Sequence, residues 1–326
     1  MNQGNVAPTA PLYSQLPYPG DGVVRTTSAR ILLEGLRERA PELLSRRPLW
    51  IADVGCGTGE ATAGIARMLP QARVVGIDVN AASLELGRAL AARSKLDLTF
   101  VQADMTQPLG EALRRAGAPA WEGRFDVITS MGVLHHLSDP AAGFARVREI
   151  LREDGLFQVY VYSRTGRREV LEVRELLDRA LPDGTFQDRA RAVRSLRLSR
   201  KHTLWDGVRT LRKRLRFGPP LRLGEIVRVA MRRRRITHVS DTFSNPCEHS
   251  FHFDELFSIF ARTGWAFAGL AKRGGLPVSA EEHTRDPEAL ALLRGLPPAV
   301  MYDLLAFHYR AAGWTFFLQP EKVQAS

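Results

Sequence analysis

The stretch Leu49 to Glu60, LWIADVGCGTGE, decides the fold. A short apolar run ends in Asp53, passes through Gly55, Gly57 and Gly59, and gives way to a helical pattern from Glu60. The order is strand, tight turn, helix. Glycines suit a backbone that turns sharply and comes close to a ligand, because a Cβ would obstruct both. A dinucleotide-binding turn reads G-x-G-x-x-G, so its third glycine would fall at position 60, where this chain has Glu60. An acid at the head of the helix would repel a pyrophosphate, yet it can face a cationic or hydroxyl-bearing ligand.

Working outward, Arg73 to Asp78 (RVVGID) is a second apolar strand that ends in an acid 19 residues after Gly59. An acid at that distance sits at the tip of the second parallel strand, where it can accept hydrogen bonds from two ribose hydroxyls. A third strand, Leu98 to Ala103, runs into Asp104 and Met105, and a fourth, RFDVITS at 124–130, runs into MGVLHHLSDP. These four segments, in this order, resemble motif I and the following strand tips of the class I S-adenosylmethionine-dependent methyltransferases, over residues 49 to 163. The resemblance implies an α/β fold: a seven-stranded, mostly parallel Rossmann-like sheet with an antiparallel last strand and a helical cap insertion.

The resemblance also assigns residues. Gly55, Cys56, Gly57 and Gly59 would lie against the methionine and ribose parts of S-adenosyl-L-methionine, with Asp53 ordering the turn. Asp78, followed by Val79, would take the ribose hydroxyls; Asp104 and Met105 would flank adenine; Ser130 and Met131 would line the passage to the methyl group. Transfer is then an in-line displacement, for which the protein aims a nucleophile, excludes water and, for some acceptors, removes a proton. His135 and His136 follow the fourth strand, near where a base would act. His249 and His252 are the other candidates, with packing or capping as the plainer reading. Tyr162, Arg164 and Glu248 are candidate walls of the acceptor pocket. Tyr13 and Tyr18, in PLYSQLPYPGDG, belong either to a lid whose aromatic faces attract the sulfonium or to a surface-packed arm.

The coarse pattern alternates strand and helix from 49 to 163, with strands near 49–54, 73–78, 97–102, 125–130 and 156–162. Helices are expected near 27–40, 60–69, 81–94, 107–116 and 141–152, the last closed by Gly155. Arg164 to Ala180 reads as another helix, and two apolar stripes follow, Trp205 to Leu215 and Leu223 to Ala230, split by Gly218-Pro219-Pro220. The core pattern resumes with a helix at 253–263 ended by Gly264, a strand at 265–270, a helix at 300–311 and a strand at 314–319. Four parts are expected: an arm with the first helix (1–48), the cofactor-binding part of the core (49–163), a basic helical insertion over the acceptor (164–247), and the rest of the core (248–326). YSRTGRREVLEVRELL at 162–177 and SDTFSNPCEHSFHFDELFSIFARTG at 240–264 resemble bacterial members of the family that carry such an insertion.

Composition bounds the rest. With 44% apolar and 25% charged residues the chain is globular, and no apolar run approaches the roughly 18 residues of a membrane span. The start, MNQGNVAPTAP, lacks the basic and apolar regions of a secretory signal. Cys56 and Cys247 make neither a disulfide framework nor a metal site, which points to a reducing, cytoplasmic setting. Of the 46 basic residues, 17 fall between Asp188 and Arg235 against 3 acids, so that segment carries the whole net charge of +11. It reads as a solvated helical face, as a surface for an anionic acceptor or the membrane periphery, or, least favoured, as a nucleic-acid surface. TSMG stands after strand four where DNA amino-methyltransferases carry Asn/Asp-Pro-Pro-Tyr/Phe, and Pro246-Cys247 is misplaced for cytosine carbon chemistry. The expected partner is a small-molecule acceptor, anionic or lipid-like ones included, with RNA or protein modification and a non-catalytic binding role as the alternatives. The sequence sets no oligomeric state.

Overall fold

The computed structural model describes residues 12–13, 17–20, 22–116, 124–196, 198, 242–272 and 277–322. Two compact units divide the chain, one made of 1–167 with 247–326, the other of 168–246.

In the first unit α1 (Thr27–Arg39) precedes five strands that alternate with four helices: β1 (Leu49–Val54), α2 (Glu60–Met68), β2 (Ala72–Asp78), α3 (Ala81–Ser94), β3 (Leu98–Gln102), α4 (Leu109–Arg115), β4 (Phe125–Met131), α5 (Pro140–Ile150) and β5 (Leu151–Tyr162). After the second unit come α8 (Phe253–Thr263), β6 (Trp265–Leu270), α9 (Ala280–His283), α10 (Pro287–Gly295), α11 (Pro298–Tyr309) and β7 (Gly313–Pro320). The seven strands form one sheet in the order β3-β2-β1-β4-β5-β7-β6. The first five run parallel, and β7 lies antiparallel between β5 and β6. This is the Rossmann-like arrangement that the strand-tip pattern implies. Parallel strands covered on both faces must be apolar on both, and the pleat sorts them. Leu49 and Ile51 of β1 join the core under α1, whereas Ala52 and Val54 join the larger core on the opposite face.

Local chemistry sets the element ends. The Asn80 side chain accepts the Ser83 amide (3.1 Å) to start α3, and Asp139 accepts that of Ala142 (3.2 Å) ahead of Pro140. Gly264 closes α8 at φ +71°. Two expectations need correction. Gly155 does not end a helix. Leu151 already pairs with Phe125, and Gly155 lies inside β5 at a register shift, where a Cβ would come within 2.9 Å of the Asp126 carbonyl. The helix expected from Arg164 begins only at Arg168, because Ser163 bridges to Phe251 and the turn through Gly166 presses on Ala311.

In the second unit α6 (Arg168–Ala180) and α7 (Phe186–Ser195) pack Val170, Leu177, Ala190 and Val193 around Phe243. The apolar stripes at 205–215 and 223–230, the Gly-Pro-Pro break and the four arginines at 232–235 lie outside the described residues. Among the described residues no helix is long and apolar enough to cross a membrane, and no His/Cys/Asp/Glu group could hold a metal ion.

The β6–β7 edge is closed by aromatic rings. Phe253, wholly buried at the start of α8, meets Tyr302, Trp314 and Phe257 with ring centroids 4.6, 5.1 and 5.1 Å away. Phe253→Ala is expected to lower the unfolding free energy by about 3–5 kcal/mol in urea titrations. A loss under about 1 kcal/mol would contradict this packing.

Candidate active site

The carboxyl ends of β1, β2 and β3 are tied to one another. Asp53, 2% exposed at the end of β1, accepts the Thr62 hydroxyl at 2.6 Å. The turn after it carries Gly55, Gly57 and Gly59 at φ +76°, +53° and +71°. Its amides are all engaged. Those of Gly55 and Cys56 donate to the Ile77 carbonyl (2.7 and 3.0 Å), Thr58 to Tyr18 (3.3 Å) and Gly59 to Cys56 (3.0 Å). The Gly57 amide donates to Asp78 Oδ2 at 2.7 Å, and the Asn80 amide donates to Oδ1 at 2.9 Å. The Ala103 amide donates to the Asp78 carbonyl (3.0 Å), which brings Asp104 and buried Met105 beside β2. Gln102 donates to the Val79 carbonyl. The carboxylate of Asp104 accepts the Thr106 amide.

A turn with every amide committed is no anion nest. What it presents is carboxylate. Burial raises the pKa of Asp78, against the amides of Asn80, Gly57 and Val79. Burial also raises that of Asp53 to about 6, with the Asp78 charge adding and Thr62 opposing. The Cys56 thiol is pushed well up by burial and both carboxylates, so it stays protonated and is no nucleophile. This donor set rejects a pyrophosphate and fits a ligand with hydroxyls and a positive charge.

The arm lies on this turn. The Gly20 amide donates to Thr58 Oγ1 (3.2 Å) and the Gly22 amide to Glu60 Oε1 (2.6 Å), while Arg25 Nε pairs with Glu60 Oε2 at 2.6 Å. A Cβ on Gly57 would sit 2.4 Å from the Tyr18 carbonyl oxygen. Glu60, 0% exposed, therefore faces the arm instead of a ligand. A charged residue at a helix start is a local signal; the direction of its carboxylate is not.

Beyond β4 and β5 lies a cluster of rings. His135 and His136 occupy a single 3₁₀ turn, Leu134–His136, with centroids 4.2 Å apart. Tyr162 lies 3.8 Å from His135 and 5.7 Å from His136, Tyr160 is 6.4 Å from His135, and Tyr13 is 6.5 Å from both His136 and Tyr18. Ser130 and Met131 pair with Val159 and Tyr160 at the end of β4, and the buried Ser130 hydroxyl has no partner among the described residues. The segment Cys247–Phe251 returns along this cluster. His136 Nδ1 lies 2.9 Å from the Cys247 carbonyl, and the His249 amide donates to the His135 carbonyl at 2.7 Å. A carbonyl can only accept, so Nδ1 carries the proton and Nε2 is the basic nitrogen. His135 is wholly buried, and among the described residues neither of its ring nitrogens has a bonded partner. Burial, then His136, Arg167 and His249, lowers its pKa well below the ordinary value; the Tyr160 backbone offsets this without reaching hydrogen-bond geometry. It is a neutral imidazole.

The other candidates separate. Glu248 is 1% exposed and pairs with Arg167 at 2.8 Å. Arg164 is bound to the Ser250 carbonyl and to Glu255, and with His249 it lines an open cleft of about 470 Å³. His252 stands apart at the head of α8, with Nδ1 3.1 Å from Asp303. Arg167 was not legible as a site residue; the only sequence hint is its place just after the Thr165-Gly166 turn.

Comparison with known proteins shows what this geometry is similar to. Residues 51–155 match the model of a methyltransferase domain. Over those residues the chain resembles the class I S-adenosylmethionine-dependent methyltransferases. An uncharacterized protein of a Synechococcus strain is 29% identical over 72% of this chain and 51% of its own. A ubiquinone biosynthesis O-methyltransferase of Pasteurella multocida is 30% identical over 41% of this chain and 56% of its own. The chain thus spans about half the length of the curated relatives it matches. PKMT2 from Rickettsia typhi, solved with AdoHcy, shares the fold at a TM-score of 0.66 and 16% identity, over 94% of this chain and 55% of that one. The cofactor of this methyltransferase domain is S-adenosylmethionine, whose ribose hydroxyls and sulfonium suit the acidic strand ends.

The buried Asp53 gives a test by pH. Its folded pKa of about 6 lies above the ordinary 3.8, so the folded chain holds the extra proton and stability falls as pH rises through that window. Asp53→Asn removes the effect. Relative to wild type, the variant's unfolding free energy should gain by up to about 3 kcal/mol between about pH 4 and about pH 7. A pH-independent difference between the two would contradict the assignment.

Proposed function

We propose that this chain transfers a methyl group from S-adenosylmethionine to the oxygen of a small, hydroxyl-bearing aromatic or lipid-like acceptor. The observation that carries the reading is the hydrogen bond from His136 Nδ1 to the Cys247 carbonyl, which orients this imidazole among the rings of Tyr13 and Tyr162. The names of the O-methyltransferases it resembles support an oxygen acceptor.

The bound cofactor supplies a methyl group already activated by its sulfonium. The chain does the rest. Asp78, with lone pairs left beyond those given to the Gly57 and Asn80 amides, accepts the ribose hydroxyls, and Asp104 with Met105 flanks the adenine. Tyr13 and Tyr18 offer aromatic faces to positive charge and keep water out. His136 Nε2 takes the acceptor's hydroxyl proton as the oxygen becomes nucleophilic. Neutral His135 and Tyr162 wall the acceptor without adding a charge that would oppose a protonated His136.

The test is mass spectrometry of hydroxylated aromatic and lipid-like acceptors incubated with the protein and methyl-deuterated cofactor. Label is expected on oxygen, and His136→Gln should lower kcat by about 10²–10⁴-fold with cofactor affinity unchanged. Label found only on amines, or full turnover by the variant, would refute the reading.

A further inference from the structure

Arg167 and Glu248 are both charged and both almost wholly out of solvent, at 5% and 1% exposure. An ion pair so placed adds little to stability, since desolvating two charges offsets their attraction. Its neighbours say what it does instead. Arg167 is delivered by a tight turn: its amide donates to the Ser163 carbonyl (3.1 Å), the Gly166 amide to Ser163 Oγ (3.1 Å), and the Ser163 amide to the Ala312 carbonyl (3.0 Å). Gly166 admits no side chain, because a Cβ would lie 1.7 Å from the Ala311 carbonyl oxygen. The turn brings the guanidinium back over the ring of Tyr162, 3.7 Å from its centroid. Tyr162 in turn packs on His135.

The partner residue lies at the other end of the same arrangement. Glu248 sits between Cys247, whose carbonyl takes the His136 Nδ1 proton, and His249, whose amide holds the His135 carbonyl. The Arg167–Glu248 contact is therefore a side-chain anchor of the three-residue segment that orients both histidines. We propose that Arg167 and Glu248 are positioning residues: their pairing fixes the Cys247 carbonyl and thereby the tautomer of His136. The importance of that tautomer for catalysis rests on the reading of His136 as the base, but the tautomer itself is observable without any acceptor.

The experiment is long-range ¹H–¹⁵N spectroscopy of the full chain labelled at histidine, above the titration of His136, with the His136 signals assigned through His136→Gln. Wild type should show the Nδ1–H tautomer. The double variant R167Q/E248Q, which removes both charges of the pair, should shift His136 toward Nε2–H while far-UV circular dichroism and S-adenosylmethionine affinity stay at wild-type values. R167K, which keeps the ion pair, should restore the wild-type tautomer, a rescue that a general loss of packing would not give. If the double variant does not fold, E248D, which draws the carboxylate back by one methylene, replaces it with the same expected shift. An unchanged Nδ1–H tautomer in the folded pair-broken variant would overturn the proposal, and so would its absence in wild type or in R167K. Failure of the O-methylation reading would appear instead as full turnover by His136→Gln, with these spectra unaffected.

Discussion

Asp78 takes the Gly57 amide on one oxygen and the Asn80 amide on the other, and its carbonyl takes the amide of Ala103. Three strand ends are thereby held by one residue. The constraint is electrostatic as much as geometric. With the other turn amides bonded to Ile77, Tyr18 and Cys56, nothing in the loop is left to neutralise a phosphate, and the exposed character of the site is carboxylate. Burial raises the pKa of both Asp53 and Asp78, and the charge of Asp78 adds to the rise at Asp53. A ligand that brings a cation and two hydroxyls suits those carboxylates.

The other half of the site obeys a different economy. Its rings are packed closely enough that His135 is kept neutral, and the chain spends backbone groups, the Cys247 carbonyl and the His249 amide, on holding the two imidazoles. Those groups come from a segment that returns after the second unit, more than a hundred residues beyond the histidines. The two halves meet through the arm, where the Tyr18 carbonyl sits on the glycine turn while its ring lies 6.5 Å from Tyr13.

The meeting of the acidic strand ends was readable from sequence because its determinants are local. Apolar runs end in Asp53, Asp78 and Asp104, and parallel strands hydrogen-bonded in register bring such ends to one edge. The seventh strand between the fifth and sixth followed from the same family pattern. What sequence could not give were choices made over long separations. Glu60 turns to Arg25 and Gly22 because the arm lies there, and Gly155 stays in a strand because Leu151 pairs with Phe125. Nothing nearby in sequence marks Arg167, whose partner is 81 residues away. His252, for which capping is the plainer reading of the sequence, does head a helix, but its contact with Asp303 spans 51 residues.

In the proposed function the carboxylate of Asp78 binds the ribose of the methyl donor. Calorimetric titration of S-adenosylmethionine into wild type and Asp78→Ala is the decisive measurement. A loss of about 1.5–3 kcal/mol in binding free energy, with the melting transition retained, is the predicted result. An affinity equal to that of wild type in the folded variant would contradict it.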